Sequence, residues 1–386
     1  MIFADRRRYA VALAGAGAFL NLYSPQAVLP LLAKEFGATE AGIALIMFAS
    51  TFAIAFTAPF TGVIADVLGR KRVITAAMIA LVIPTVMTAL SPNLETMIFW
   101  RFVQGLMLPP IFAVTIAYIG GEMPADEATG MTGIYTAGAG LGGFAGRLLT
   151  GALAETAGWR NAFLVDAALT ALLAIAVIVL LPREKQFVRA ANLKASLKQM
   201  IRHLRNRELV ATYAVGFGVL FNFIATFTFV SFHLAAPPFN LSPAALGLIF
   251  TVYLAGTFIV PLVGKGMARF GRRRFVIATL ALWMCGVLLT LVPSLPVVIA
   301  GLALAAACGF LCQAASQSYV ATSSKTGISA AIGLYVTAFY VGGSVGALLP
   351  GLAWQAGKWP GTVAMVIAMQ TVMMLILWLA WSKDRR

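Results

Sequence analysis

The chain has 386 residues, 61% apolar and only 11% charged, with a mean hydropathy of +0.91. Soluble domains carry about 25% charged residues, so a water-soluble enzyme and a disordered chain are both excluded. The net charge of +15 would suit a nucleic-acid binder, but its distribution along the chain argues against one.

A membrane-spanning helix needs about 20 apolar residues. Twelve apolar segments follow one another: 9–33, 41–65, 73–90, 94–119, 129–153, 159–181, 208–234, 243–264, 275–292, 296–321, 328–353 and 360–382. Arg6, Arg7 and Arg8 precede a first segment too long for a signal peptide core, and no cleavage site follows, so no removable leader is expected. The only long connection is 182–207. The expected organisation is an all-α membrane protein of twelve transmembrane helices in two six-helix bundles, 1–181 and 208–386, joined by a linker over 182–207. Cys285, Cys308 and Cys312 lie in apolar runs without disulfide, metal or redox spacing. No cofactor and no metal site is expected.

With the N-terminus inside, 23 of the 28 basic residues fall on inner loops and termini, and only Lys34, Arg160 and Lys358 fall outside. This is the positive-inside pattern. It accounts for most of the net charge without nucleic acid and places both termini in the cytoplasm of a cell whose inner membrane holds the chain. In the linker, Leu193, Leu197, Met200, Ile201 and Leu204 share one helical face, opposite Lys194, Lys198, Arg202, Arg205 and Arg207. That pattern fits an amphipathic helix on anionic lipid head groups or, equally, a solvated linker helix. His203 reads as a surface residue.

The two halves repeat. Tyr135, Gly142, Gly143, Gly146, Gly151 and Trp159 recur 200 residues later as Tyr335, Gly342, Gly343, Gly346, Gly351 and Trp359. Gly62, Gly69 and the basic triplet Arg70–Arg72 recur 202 residues on as Gly264, Gly271 and Arg272–Arg274, and Asn21 recurs as Asn222. A parallel repeat of six spans predicts a site between the halves near the midplane and alternating access by rocking of the bundles.

Between spans 2 and 3 stands Gly62-Val-Ile-Ala-Asp66-Val-Leu-Gly69-Arg70-Lys-Arg. Span 4 carries Arg101-Phe-Val-Gln104-Gly105, and span 5 carries Gly138-x3-Gly142-Gly143-x2-Gly146-Arg147. The first resembles the signature loop of the major facilitator superfamily. The second is similar to a motif of its proton-driven members and the third to that of its twelve-span drug and metabolite antiporters. Val67, Gly143, Arg147 and Ala268 depart from those patterns. The resemblance implies that Asp66, with Gly62, Gly69 and Arg70, forms an inner latch on the N-terminal end of span 11. It also implies that spans 1, 4, 7 and 10 line the cavity, and that glycine-rich spans 5 and 11 present smooth faces where the halves meet.

Charges inside a span are costly and mark function by default. Arg101, Arg147 and Asp166 fall at similar depth in the first half, which predicts a charge network. It either holds the bundle together or serves proton coupling. His233 is a weaker proton-carrier candidate. The second half has no Asp, Glu, Lys or Arg within its spans. Candidate cavity residues are therefore mostly neutral: Asn21, Tyr23, Gln26 and Gln104, then Asn222, Thr226, Phe229, Gln313, Ser316 and Gln317. The alternative for each is an interhelical hydrogen bond. The sequence is thus expected to encode a secondary transporter, acting as a monomer on protons and a small organic or amphiphilic substrate. Efflux is the first expectation, and uptake of a sugar or organic anion is the second. A receptor on the same scaffold is a remoter alternative.

Overall fold

The computed structural model describes residues 2–184, 201–323 and 328–381. Among the described residues, each predicted apolar segment falls on helical elements, with 9–33 and 243–264 interrupted by 3-10 turns. Helix α1 (Ile2–Tyr23) stops before Pro25, which has no N–H to return to the carbonyl of Asn21. The chain tightens into a 3-10 turn over Ser24–Ala27 and resumes as α2 (Leu29–Glu35). Helices α3 (Glu40–Leu68) and α4 (Arg70–Ala89) meet at Gly69, whose φ of 94° suits a residue without Cβ. Helix α5 (Leu94–Glu122) is capped by Asn93, which accepts from the Thr96 N–H at 2.9 Å. Helices α6 (Ala125–Ala157) and α7 (Trp159–Leu180) complete the first half.

In the second half, α8 (Arg207–Ala235) is capped by Asn206. Span 8 is broken into α9 (Pro243–Ile249), α10 (Tyr253–Ile259) and α11 (Val263–Phe270) by two 3-10 turns, the second around Pro261. Helices α12 (Arg272–Leu289), α13 (Leu295–Ser323) and α14 (Ile328–Ala380) follow. Within α14 the backbone leaves helical geometry at Gly357 and Lys358, separating spans 11 and 12. Among the described residues, eight helices are long and apolar enough to cross a membrane.

The chain forms two compact units. One is Met1–Ala38, Ala49–Asn192 and Ser242–Phe250, and the other is Thr39–Phe48, Leu193–Leu241 and Thr251–Arg386. Neither coincides with a sequence half, because each includes a short segment from the other. Linker residues 185–200 lie outside the described residues.

Small residues set the closest contacts inside each unit. In the first, Gly138, Gly142 and Gly146 of α6 face α1 so closely that a Cβ on any of them would strike the backbone of Ala12, Ala16 or Leu20. In the second, Gly342 and Gly346 of α14 meet the backbone of Phe217 and Phe221 on α8 in the same way. The glycines of spans 5 and 11 were expected on smooth faces between the halves, and Gly151 and Gly351 do face the other sequence half, at Pro243 and Ala41, but these five do not. They instead close helix pairs within each unit, since i, i+4 spacing lets two backbones touch along one line.

Candidate functional site

The break in span 1 organises the polar core of the first unit. Pro25 leaves the carbonyl of Asn21 without its helical donor, and the carbonyl of Leu22 faces the same gap. Arg101 on α5 fills it. Its Nη1 donates to Asn21 O at 2.8 Å and to Gln104 Oε1 at 2.6 Å, and its Nη2 donates to Leu22 O at 2.7 Å and to Ser50 Oγ at 3.1 Å. Only Nε lacks a partner. Arg101 is 1% exposed, and among the described residues no carboxylate lies within ion-pairing distance. Its charge-assisted hydrogen bonds, worth about 1.5–3 kcal/mol each when buried, therefore go to neutral oxygens, two of them on span 1.

A ring of neutral groups continues from there. Gln104 Nε2 donates to Thr85 Oγ1 at 2.9 Å, and that hydroxyl lies 2.7 Å from Asn21 Oδ1. Asn21 Nδ2 donates to Thr170 Oγ1 at 2.8 Å and to Gly17 O at 2.9 Å. Thr170 in turn donates to the backbone oxygen of Asp166 at 2.7 Å. Spans 1, 2, 3, 4 and 6 are tied through one asparagine and one arginine.

Asp166 is 0% exposed. Its Oδ2 accepts from Thr150 Oγ1 on α6 at 2.8 Å, and its Oδ1 has no partner. The Ser24 hydroxyl, inside the 3-10 turn of span 1, lies beside the carboxyl. Arg101 thus pins the break directly, while Asp166 lies beside it tied to α6, and the two form no ion pair.

Arg147 sits apart from this pair. Its Nε donates to Gln26 Oε1 at 2.8 Å and its Nη1 to Gly143 O at 2.7 Å. The guanidinium lies 4.2 Å from the Tyr23 ring centre and 4.6 Å from that of Phe250. The three intramembrane charges predicted as one network resolve into two groups, because aromatic faces and amide oxygens supply the partners of Arg147.

The predicted cavity residues divide in the same manner. Asn21, Gln26 and Gln104 are buried in the hydrogen bonds just described, and Tyr23 is half-buried. In the second unit Asn222, Thr226, Phe229 and Ser316 are buried, Gln313 is half-buried and Gln317 is exposed. Asn222 Nδ2 donates to Gly218 O at 2.7 Å and contacts Met373 Sδ at 3.3 Å. Asn222 Oδ1, Thr226 Oγ1, Ser316 Oγ and both amide atoms of Gln370 have no partner. Phe229 packs on Trp354 with ring centres 5.8 Å apart. The His233 ring stacks on Trp359 at 5.4 Å.

At the signature loop, Gly62 is exposed, Gly69 is buried, and Asp66 and Arg70 are half-buried. Burial pushes the Asp66 carboxyl above the usual carboxylate range, against the pull of Arg70. A residue missed in the sequence completes the loop. Glu184, two residues past Pro182, places Oε2 3.3 Å from the Lys71 N–H at the start of α4. Its Oε1 occupies the space that a Cβ on Gly69 would need. The Arg70 guanidinium lies over Gly121 of α5, where any side chain would displace it.

A family model described as the Major Facilitator Superfamily matches residues 11–236 and 217–386. An uncharacterised transporter of Buchnera aphidicola subsp. Baizongia pistaciae is 31% identical over 367 residues, covering 94% of this chain and 91% of its own. The inner membrane transport protein YnfM of Escherichia coli is 29% identical over 364 residues, covering 94% of this chain and 87% of its own. Among solved structures, a bacterial homologue of the human lysosomal transporter Spinster superposes with a TM-score of 0.80 at 15% identity over 99% of both chains. The nucleoside transporter NupG superposes with a TM-score of 0.79 at 15% identity, covering 97% of this chain and 100% of its own. At such identities these two similarities are of fold alone.

Proposed function

The chain belongs to the major facilitator superfamily, and on that premise we propose that it exports a small organic or amphiphilic compound in exchange for protons. That it is a multi-pass membrane transporter and not an enzyme follows from the family. The finer reading is alternating access by two six-span bundles, twelve spans in all, in an inner membrane with both termini cytoplasmic. The protein acts as a monomer, with anionic lipid head groups at the linker.

One observation carries the proton assignment. Asp166 is a fully buried carboxyl with one oxygen unpartnered and, among the described residues, no cation in ion-pairing distance, set beside the Ser24 turn of span 1. Loading a proton converts that group from acceptor to donor, which changes its hold on Thr150 and lets its free oxygen engage the neighbouring turn of the broken span. Arg101 keeps the break itself pinned. Asp66 with Gly62, Gly69 and Arg70 serves as the inner latch. Gln313 and Gln317, the accessible amides of span 10, contact substrate.

A second reading is supported by Arg147. A guanidinium between the rings of Tyr23 and Phe250 is suited to an organic anion, and proton-linked uptake of such a compound is the alternative. Purified protein in liposomes, screened for substrates under an imposed pH gradient, separates them. Export by antiport predicts that an outward proton gradient drives substrate into the liposomes, whereas proton-linked uptake predicts that an inward one does, with Asp166→Asn abolishing the coupling. Coupling intact in Asp166→Asn would refute the proton assignment, and binding without flux would indicate a receptor.

A further inference from the structure

The second unit carries a surface groove of about 370 Å³ where α10, α11, α12 and α13 meet. Its walls are Leu262, Phe270, Phe275 and Leu311, and its rim carries Lys265 and Arg269. The sequence of α11 and of the 3-10 turn before it explains the arrangement. Leu262, Gly266 and Phe270 recur every fourth residue and form one stripe. Lys265 and Arg269 recur at the same interval on the adjoining stripe. Gly266 admits the Phe275 ring as a floor, since a Cβ there would strike it. Leu262 and Phe270 are 52% and 57% exposed, so the apolar stripe is uncovered along its length.

The charge is equally uncompensated. Between Glu208 and Asp384 the sequence has no Asp or Glu. Arg272 lies over the Tyr319 ring at 4.1 Å, and Arg273 Nη1 reaches Trp381 O at 3.5 Å. Neither Lys265 nor Arg269 makes an ion pair among the described residues. Arg269 only leans over Phe270, its Cζ 5.5 Å from the ring centre.

We propose that this groove holds one anionic phospholipid, its acyl chain along Leu262, Phe275 and Leu311 and its phosphate between Lys265 and Arg269. An apolar trough with two cations one helical turn apart at its lip matches a ligand that is greasy and anionic at once. A nucleic acid would leave the trough uncovered, and a zwitterionic lipid would bring its own ammonium beside two cations and leave their charge unneutralised. The site is separate from the linker and does not depend on the transport reading.

The test places the full chain in nanodiscs as Phe270→Trp, with brominated phosphatidylglycerol or brominated phosphatidylcholine of the same acyl chain as probe. Quenching of the added tryptophan, taken as the difference from the parent chain, is expected at about a twenty-five-fold lower mole fraction of the glycerol lipid. Lys265→Gln with Arg269→Gln should erase that preference, and each single change should weaken it by about five-fold. Arg269→Lys should retain it. Equal quenching by both lipids would show ordinary acyl contact and overturn the proposal, as would a preference unchanged in the double variant. The single variants alter only exposed side chains, and if the double variant fails to fold, a preference unchanged in both of them overturns the proposal equally.

Discussion

The two units share a scaffold and differ in what fills it. Asn21 and Asn222 occupy equivalent places, and each donates to the carbonyl four residues earlier, Gly17 or Gly218. Around Asn21 every further group is polar: Thr85, Thr170, Gln104 and Arg101. Around Asn222 the neighbour is the Met373 sulfur, and Gln370, 200 residues after Thr170, has both amide atoms unpartnered. The second unit fills its interior with rings instead, where Phe223 lies 5.4 Å from Trp283 and 5.0 Å from Phe310. A repeated fold thus tolerates two core chemistries as long as the helix contacts set by glycine are kept. The unit with the broken span 1 is the one that concentrates hydrogen bonds.

If the glycine contacts are the shared part, breaking them should cost most and cost both units alike. Gly142→Leu and Gly342→Leu each drive a side chain into a facing backbone, and each is expected to lose more than about 3 kcal/mol, read as loss of folded protein in detergent. Transport surviving Gly142→Leu would mean that close approach on span 5 is dispensable. Next comes the polar pin that only the first unit has. Arg101→Leu strands the carbonyls of Asn21 and Leu22, at about 1–3 kcal/mol per group, and Arg101→Lys should recover only part because one ammonium cannot span both. The contrast sharpens with Thr170→Val and Gln370→Leu. Removing the first loses an interhelical bond of about 0.6 kcal/mol. The second removes an unpartnered amide and should leave the melting temperature unchanged or raise it.

The smallest expected effect concerns Glu155 at the end of α6. The Ser242 hydroxyl, and then the Ala244 N–H at 3.1 Å, hold its carboxyl below the usual range. A group with a lowered folded value contributes above its ordinary value and loses that contribution as pH falls through the lowered one. The protection of the Ala244 amide proton, taken relative to its intrinsic exchange rate at each pH, should therefore fall as pH drops through the acid range. In Glu155→Gln it should no longer follow that titration.

Much of this was legible in the sequence. Apolar run length found the helices, the repeat found the equivalence of Asn21 and Asn222, and cost in lipid singled out Arg101, Arg147 and Asp166. What escaped was the identity of partners. Ser50, Thr85, Thr150 and Glu184 come from distant positions in the chain, and no local spacing announces that they meet Arg101, Asn21, Asp166 and Lys71. Thr170 could have been found, since it stands one helical turn beyond Asp166. The glycine stripes gave spacing without direction, and only contact with span 1 or span 7 showed which way they face. Gln313 and Gln317 share a stripe, yet their exposure differs because the packing around span 10 is unequal.

The pin between spans 1 and 4 also sets a constraint on biogenesis. The carbonyl of Asn21 waits for a donor that lies 80 residues downstream. Until span 4 is synthesised, the first segment must sit where water or the insertion machinery can reach its break. A nascent chain halted before Arg101 is expected to leave that break open to cysteine-directed labelling at Ser24→Cys, and one halted after span 4 to close it.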